Sequence, residues 1–95
     1  MPAMKTAMAR HILVATEAEA LDIKRRLSKG QAFDVLARKY SKCPSAKKGG
    51  DLGEVRRRQM VPSIDKVIFN NALRQTHGPI KSKFGYHLVQ VYFRG

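Results

Sequence analysis

Cysteine is almost absent from this 95-residue chain: Cys43 stands alone. That excludes an internal disulfide and a zinc site built on several thiolates. A lone thiol fits a reducing compartment, and a cytoplasmic location is expected. Tryptophan is missing, and acidic residues are scarce. Seven Asp and Glu face nineteen Lys and Arg, for a formal charge of +12. All seven acids fall between Glu17 and Asp65, so both ends of the chain are purely basic. Such a balance favours acidic partners, whether nucleic acid, ribosome, anionic lipid or acidic peptide, without choosing among them. No apolar stretch has signal-peptide or membrane-spanning length, so a soluble chain with no membrane partner is expected.

What is present is enough apolar content for a core, 43 % of the residues. Intrinsic disorder is disfavoured. One domain over residues 1–95 is expected, with residues 1–8 as a flexible N-terminus, and it leaves no room for separate nucleotide and substrate halves.

Residues 9–14 read as a strand with Ile12 and Val14 on one face and His11 and Leu13 on the other. Thr16, with Glu19 three residues on, has capping-box spacing for a helix over 17–29. Ala20, Ile23 and Leu27 form its stripe, and Gly30 stops it. Phe33, Leu36, Ala37 and Tyr40 match the i, i+3, i+4, i+7 pattern of a second helix, which Pro44 should end. A loop over 43–50, a short strand over 51–55 and an arginine loop over 56–58 follow. Pro62 suits the first turn of a third helix, with Ile64, Val67 and Ile68 on one face and Asn70-Asn71 closing it. Gly78-Pro79 and Gly85 mark turns. His87, Val89, Val91 and Phe93 then alternate with Tyr86, Leu88, Gln90, Tyr92 and Arg94 in the clearest strand of the chain. The order implies an α+β fold with a small, mostly antiparallel sheet.

His11, Cys43 and His87 are the reactive candidates. Were the first and last strands neighbours, both imidazoles would share one face and need partners there. Spacing alone favours a satisfied core pair over a working one. Cys43 reads first as a small half-buried residue, and as a nucleophile only with a histidine base beside it. The run Gly49-Gly50-Asp51-Leu52-Gly53 lacks Walker spacing and is more simply a tight backbone path. The basic clusters are not interleaved with stacking aromatics, so specific nucleic-acid binding is disfavoured.

Taken together, residues 9–14 (ARHILV), 41–54 (SKCPSAKKGGDLGE), 59–62 (QMVP) and 78–87 (GPIKSKFGYH) resemble the parvulins, which are peptidyl-prolyl cis–trans isomerases. The likeness runs in order from about residue 9 to residue 94. It implies a four-stranded antiparallel sheet surrounded by three to four helices, the parvulin/FKBP-like architecture. His11 and His87 correspond to the family's paired active-site histidines, Cys43 to its cysteine-or-aspartate position, and Ser82 to a hydroxyl completing that cluster. Leu52, Met60 and Ile64 match the pocket for the proline ring, with Gln59 and Phe84 beside it. No cofactor or metal is implied. The implied partners are proline-containing peptides and unfolded segments, met by a monomer.

The chain departs from the family pattern at Ile64 (usually phenylalanine), Val55 (commonly aromatic) and Arg58 (typically glycine). The stretch after the first strand, where phosphorylation-dependent members are basic, reads Ala15-Thr16-Glu17-Ala18-Glu19 here. Isomerisation that does not depend on phosphate, by non-covalent stabilisation of the twisted amide, is the expected activity. A weakly catalytic holdase and a polyanion- or ribosome-associated module are the competing readings.

Overall fold

The computed structural model describes residues 6–70 and 73–94. In chain order they form β1 (Thr6–Val14), α1 (Glu17–Ser28), α2 (Phe33–Tyr40), a 3-10 helix (Pro44–Lys48), β2 (Asp51–Arg56), α3 (Pro62–Asn70), β3 (Thr76–Ser82) and β4 (Gly85–Arg94). The strands make one antiparallel sheet in the order β2-β1-β4-β3, so β1 and β4 are its centre. This is the α+β architecture expected from the sequence.

Alternation on the two central strands feeds two cores. Opposite residues in an antiparallel pair share a face. Ala9 faces Val91, His11 faces Val89 and Leu13 faces His87 on one side; Ile12 faces Leu88 and Val14 faces Tyr86 on the other. Behind the sheet, α1 and α2 lay Ala20, Ile23, Phe33, Leu36 and Ala37 on Ile12, Val14 and Leu88. In front, α3 lays Ile64, Ile68 and Phe69 on Ala7, Ala9, Val55, Val89 and Val91. The helix stripes therefore fall as the periodicity predicts. The α1 cap also holds: the Glu19 N–H donates to Thr16 Oγ1 at 3.2 Å, and the Thr16 hydroxyl donates to the Glu19 carboxylate at 3.0 Å.

Several boundaries move, each for a non-local reason. β1 begins at Thr6, because Thr6, Ala7 and Met8 pair with Arg56, Val55 and Glu54. Of the N-terminus expected to be flexible, Thr6, Ala7 and Met8 are thus strand, and residues 1–5 lie outside the described residues. The same pairing draws Arg56 into β2. α2 stops at Tyr40, ahead of Pro44, because the following chain is drawn against β1. The Leu13 N–H donates to Ser41 Oγ at 3.0 Å, and the Lys42 N–H donates to the Leu13 carbonyl at 2.8 Å. Pro44 instead opens the 3-10 helix, with Cys43 at its N-cap, where a loop was expected.

Gly78-Pro79 is not a turn but a cis peptide inside β3, where the ladder skips between His77 and Ile80. β3 is an edge strand, the place where a residue without an N–H is tolerated. Gly85 opens β4 just past the Lys83-Phe84 turn. Asn71, expected to help close α3, lies outside the described residues.

One glycine is demanded by the site itself. Gly50 has φ +84°, its carbonyl accepts the His11 N–H at 2.9 Å, and a Cβ there would lie 2.5 Å from the His11 carbonyl oxygen. The Gly49-Gly50 path is a close approach to the strand that carries His11.

Candidate active site

The buried polar side chains among the described residues are His11 and His87, 3 % and 4 % exposed. They stand on adjacent central strands and on the α3 face, as the alternation implies. Their rings stack with centroids 5.6 Å apart and planes 19° from parallel. The two Nδ1 atoms approach to 3.5 Å. Ser82 Oγ lies 2.7 Å from His87 Nε2, and the same oxygen accepts the Phe84 N–H at 3.1 Å. The hairpin turn between β3 and β4 therefore holds the hydroxyl that holds the ring. His11 Nε2 is buried with no hydrogen-bond partner among the described residues.

Burial, and then the charge of a protonated His87, drop His11 to about 4 from its ordinary 6.5. Burial lowers His87 as well. Both rings are neutral at neutral pH. A contact between two neutral imidazoles through Nδ1 needs one N–H and one lone pair, so the tautomer of each ring depends on that of the other. The arrangement is a short polar chain, hydroxyl to ring to ring, with no net charge.

Above the rings opens a pocket of about 370 Å³ with almost wholly apolar walls. That volume lies within the roughly 300–1,000 Å³ of small-ligand clefts. Met60, Val61 and Ile64 bound it from the β2–α3 connection and α3. Leu13 of β1 adds to the wall, Lys42, Cys43 and Pro44 form another side, and Phe84 stands at the hairpin rim, 60 % exposed. The extended course of residues 41–43 against β1 is what sets Cys43 there.

His11, Cys43, Met60, Ile64, Phe84 and His87 thus meet around one cavity, and Ser82 joins through its bond to His87. Two other expected residues lie elsewhere. Leu52 does not line the pocket and packs against the α3-side core, because it lies on the edge strand β2. Gln59 is exposed, and its amide oxygen accepts the Arg56 N–H at 2.9 Å, closing the turn that delivers Met60. Val55, one of the departures, is 1 % exposed in the core beneath α3 and not in the pocket wall. Ile64 belongs to both core and wall. The sequence reading missed Leu13, Val61, Lys42 and Pro44. Leu13 was readable from its alternation with His11; the others needed the path of the two loops. Among the described residues no group of three His, Cys, Asp or Glu is arranged to hold a metal.

The sequence profile of the PPIC-type PPIase domain, the rotamase family, matches residues 4–92. The chain belongs to that family. This PPIC-type domain is 45 % identical over 83 residues to the foldase protein PrsA of Caldanaerobacter subterraneus subsp. tengcongensis, covering 86 % of the chain and 27 % of that relative. It is 43 % identical over 97 residues to the chaperone SurA of Thiobacillus denitrificans, covering 90 % of the chain and 22 % of that relative. The domain therefore spans less than a third of the length of these relatives. Among solved structures it superposes on the peptidylprolyl isomerase PrsA of Bacillus anthracis with a TM-score of 0.92 at 33 % identity, over 97 % of this chain and 43 % of that one. With the parvulin NmPin of Nitrosopumilus maritimus the TM-score is 0.85 at 36 % identity, over 97 % of this chain and 99 % of that one.

Proposed function

We propose that this domain accelerates cis–trans isomerisation of Xaa–Pro bonds in unfolded or proline-containing segments, without requiring phosphate. The supporting observation is an apolar pocket with two stacked, uncharged histidines beneath it, in a chain of the rotamase family. The amide must twist through a barrier of about 18–20 kcal/mol. Unassisted exchange takes roughly tens to hundreds of seconds. A thousandfold gain needs only about 4 kcal/mol of preference for the twisted form. No bond is broken, so no nucleophile is required.

In this reading Met60, Val61, Ile64 and Leu13 hold the proline ring and exclude water. A dry surround penalises the charge-separated planar amide more than the twisted one, which has lost its resonance. His11 and His87 supply a polar floor without a charge, and Ser82 orients His87. Cys43 packs beside the carbonyl and attacks nothing. Phe84 covers the ring from the rim. Gln59 acts on the turn that presents Met60, and Leu52 supports the wall from the core.

The segment after β1, basic in phosphorylation-dependent members, carries Glu17 and Glu19 in the first turn of α1 here, which supports independence from phosphate. The lone half-buried thiol supports work in a reducing, cytoplasmic setting, the +12 charge supports weak attraction to acidic partners, and a monomer is proposed with them. Cell fractionation, salt titration and sedimentation respectively check those three points. Exchange spectroscopy on a short Ala-Pro peptide with catalytic amounts of protein tests the main reading. Exchange cross-peaks between the isomers are expected; line shifts without exchange would instead identify a holdase.

A further inference from the structure

A second cavity, about 430 Å³, adjoins the first and is lined by Arg58, Met60, Pro62 and Asp65. Met60 borders both cavities. Adjacent residues of an extended chain are ~3.8 Å apart, so a chain with its proline against one flank of Met60 lays a neighbouring residue toward the other. Asp65 is half-buried, and one of its oxygens already accepts the Arg58 N–H at 2.6 Å. The Arg58 side chain is exposed. Arg57 is drawn off over the Phe69 ring, 5.7 Å from its centroid. Lys42 lines the first cavity. The charges lining the two cavities are Lys42, Arg58 and the Asp65 carboxylate, whose bond to the Arg58 N–H leaves its charge in place, so the two cations exceed the anion by one. A side chain crossing Met60 therefore enters a net positive field.

We propose that the second cavity is a specificity subsite in which Arg58 selects clients with Asp or Glu beside the proline. This rests on the isomerase reading of the first cavity. Arg58 acts on selection and takes no part in the twist. It meets the client only through a side chain that the reaction leaves unchanged.

The test compares Glu-Pro, Ala-Pro and Lys-Pro peptides at low and high salt, by exchange spectroscopy, on the full chain. Wild type should turn over Glu-Pro about three- to fourfold better than Ala-Pro, the size of one screened contact between charges. Arg58→Glu should invert the order, moving the Glu-to-Lys ratio of kcat/KM by about tenfold, and high salt should shrink both effects. Lys29→Glu makes the same charge change on an exposed residue at the end of α1, behind the sheet. Equal ratios in wild type and Arg58→Glu would overturn the proposal. An equal shift from Lys29→Glu would also overturn it, since net charge and not the subsite would then be responsible. Absence of turnover on Ala-Pro by wild type sinks the isomerase reading alone; the same ratios, read as Kd from line shifts, then support or overturn selection by Arg58.

Discussion

The two faces of the sheet use the same central strands and differ in what covers them. Behind, two helices seal Ile12, Val14 and Leu88, each 0 % exposed, under a continuous apolar layer. In front, α3 has only nine residues and covers the row formed by Ala7, Ala9, Val89 and Val91. Past the start of α3, where Ile64 forms part of the wall, the row continues as His11, Leu13 and His87, and there the pocket opens. Both buried polar side chains lie on the incompletely covered face. Coverage yields stability, and its interruption yields a site. The histidines are tolerated there because each keeps a hydrogen-bonding neighbour and neither carries charge.

Substitutions can break that contrast. Leu88→Ala, behind the sheet, should lose about 2–5 kcal/mol in urea unfolding, because the packed layer cannot collapse around the void. Met60→Ala, in front, should cost about 1 kcal/mol or less and yet reduce kcat/KM at least about tenfold. Equal stability losses would show that the two faces do the same job.

Acid provides the next largest effect. An unfolded His11 takes a proton near 6.5, while the folded one resists until about 4. Between those values the unfolded chain binds more protons, so stability is full above pH 6.5 and falls as pH drops toward 4. The loss should be about 3 kcal/mol. Unfolding midpoints across this range should slope in wild type and slope less steeply in His11→Gln, where the buried His87 still resists protonation.

Ser82→Ala removes the hydroxyl at 2.7 Å from His87 and should cost about 1 kcal/mol, with a change in the His87 ring nitrogen shifts by NMR. The smallest effect is expected at the rim. Arg58 sits at φ +67°, where a side chain costs about 1–2 kcal/mol and glycine does not, though glycine has more entropy to lose. Arg58→Gly should therefore gain about 0.5–1 kcal/mol in thermal unfolding. The same position is where the family pattern has glycine.

Much of this was readable in the residues. Strand β4 showed its period of two, α2 its i, i+3, i+4, i+7 set, and α1 its capping box, because each is decided by neighbours within a few positions. Gly49-Gly50 was readable as a tight path, though not as the approach to His11 that makes it necessary. The early start of β1, the stop of α2 at Tyr40 and the strand placement of Gly78-Pro79 were not readable. The first two depend on hydrogen bonds to a strand distant in sequence, and the third on the β3–β4 ladder resuming on either side of the Gly78-Pro79 pair, each outweighing local preference.

The site divides in the same way. Sequence alone determined which faces of β1 and β4 carry the imidazoles, since alternation is a property of the extended backbone. It also determined the charge and the lone thiol. Tertiary structure alone decided that those strands are neighbours, that the rings meet through Nδ1, that Met60 borders two cavities and that Leu52 packs into the α3-side core. Those outcomes depend on contacts between residues as far apart as 11 and 87, and the entropy of closing such loops is recovered only when the whole sheet forms.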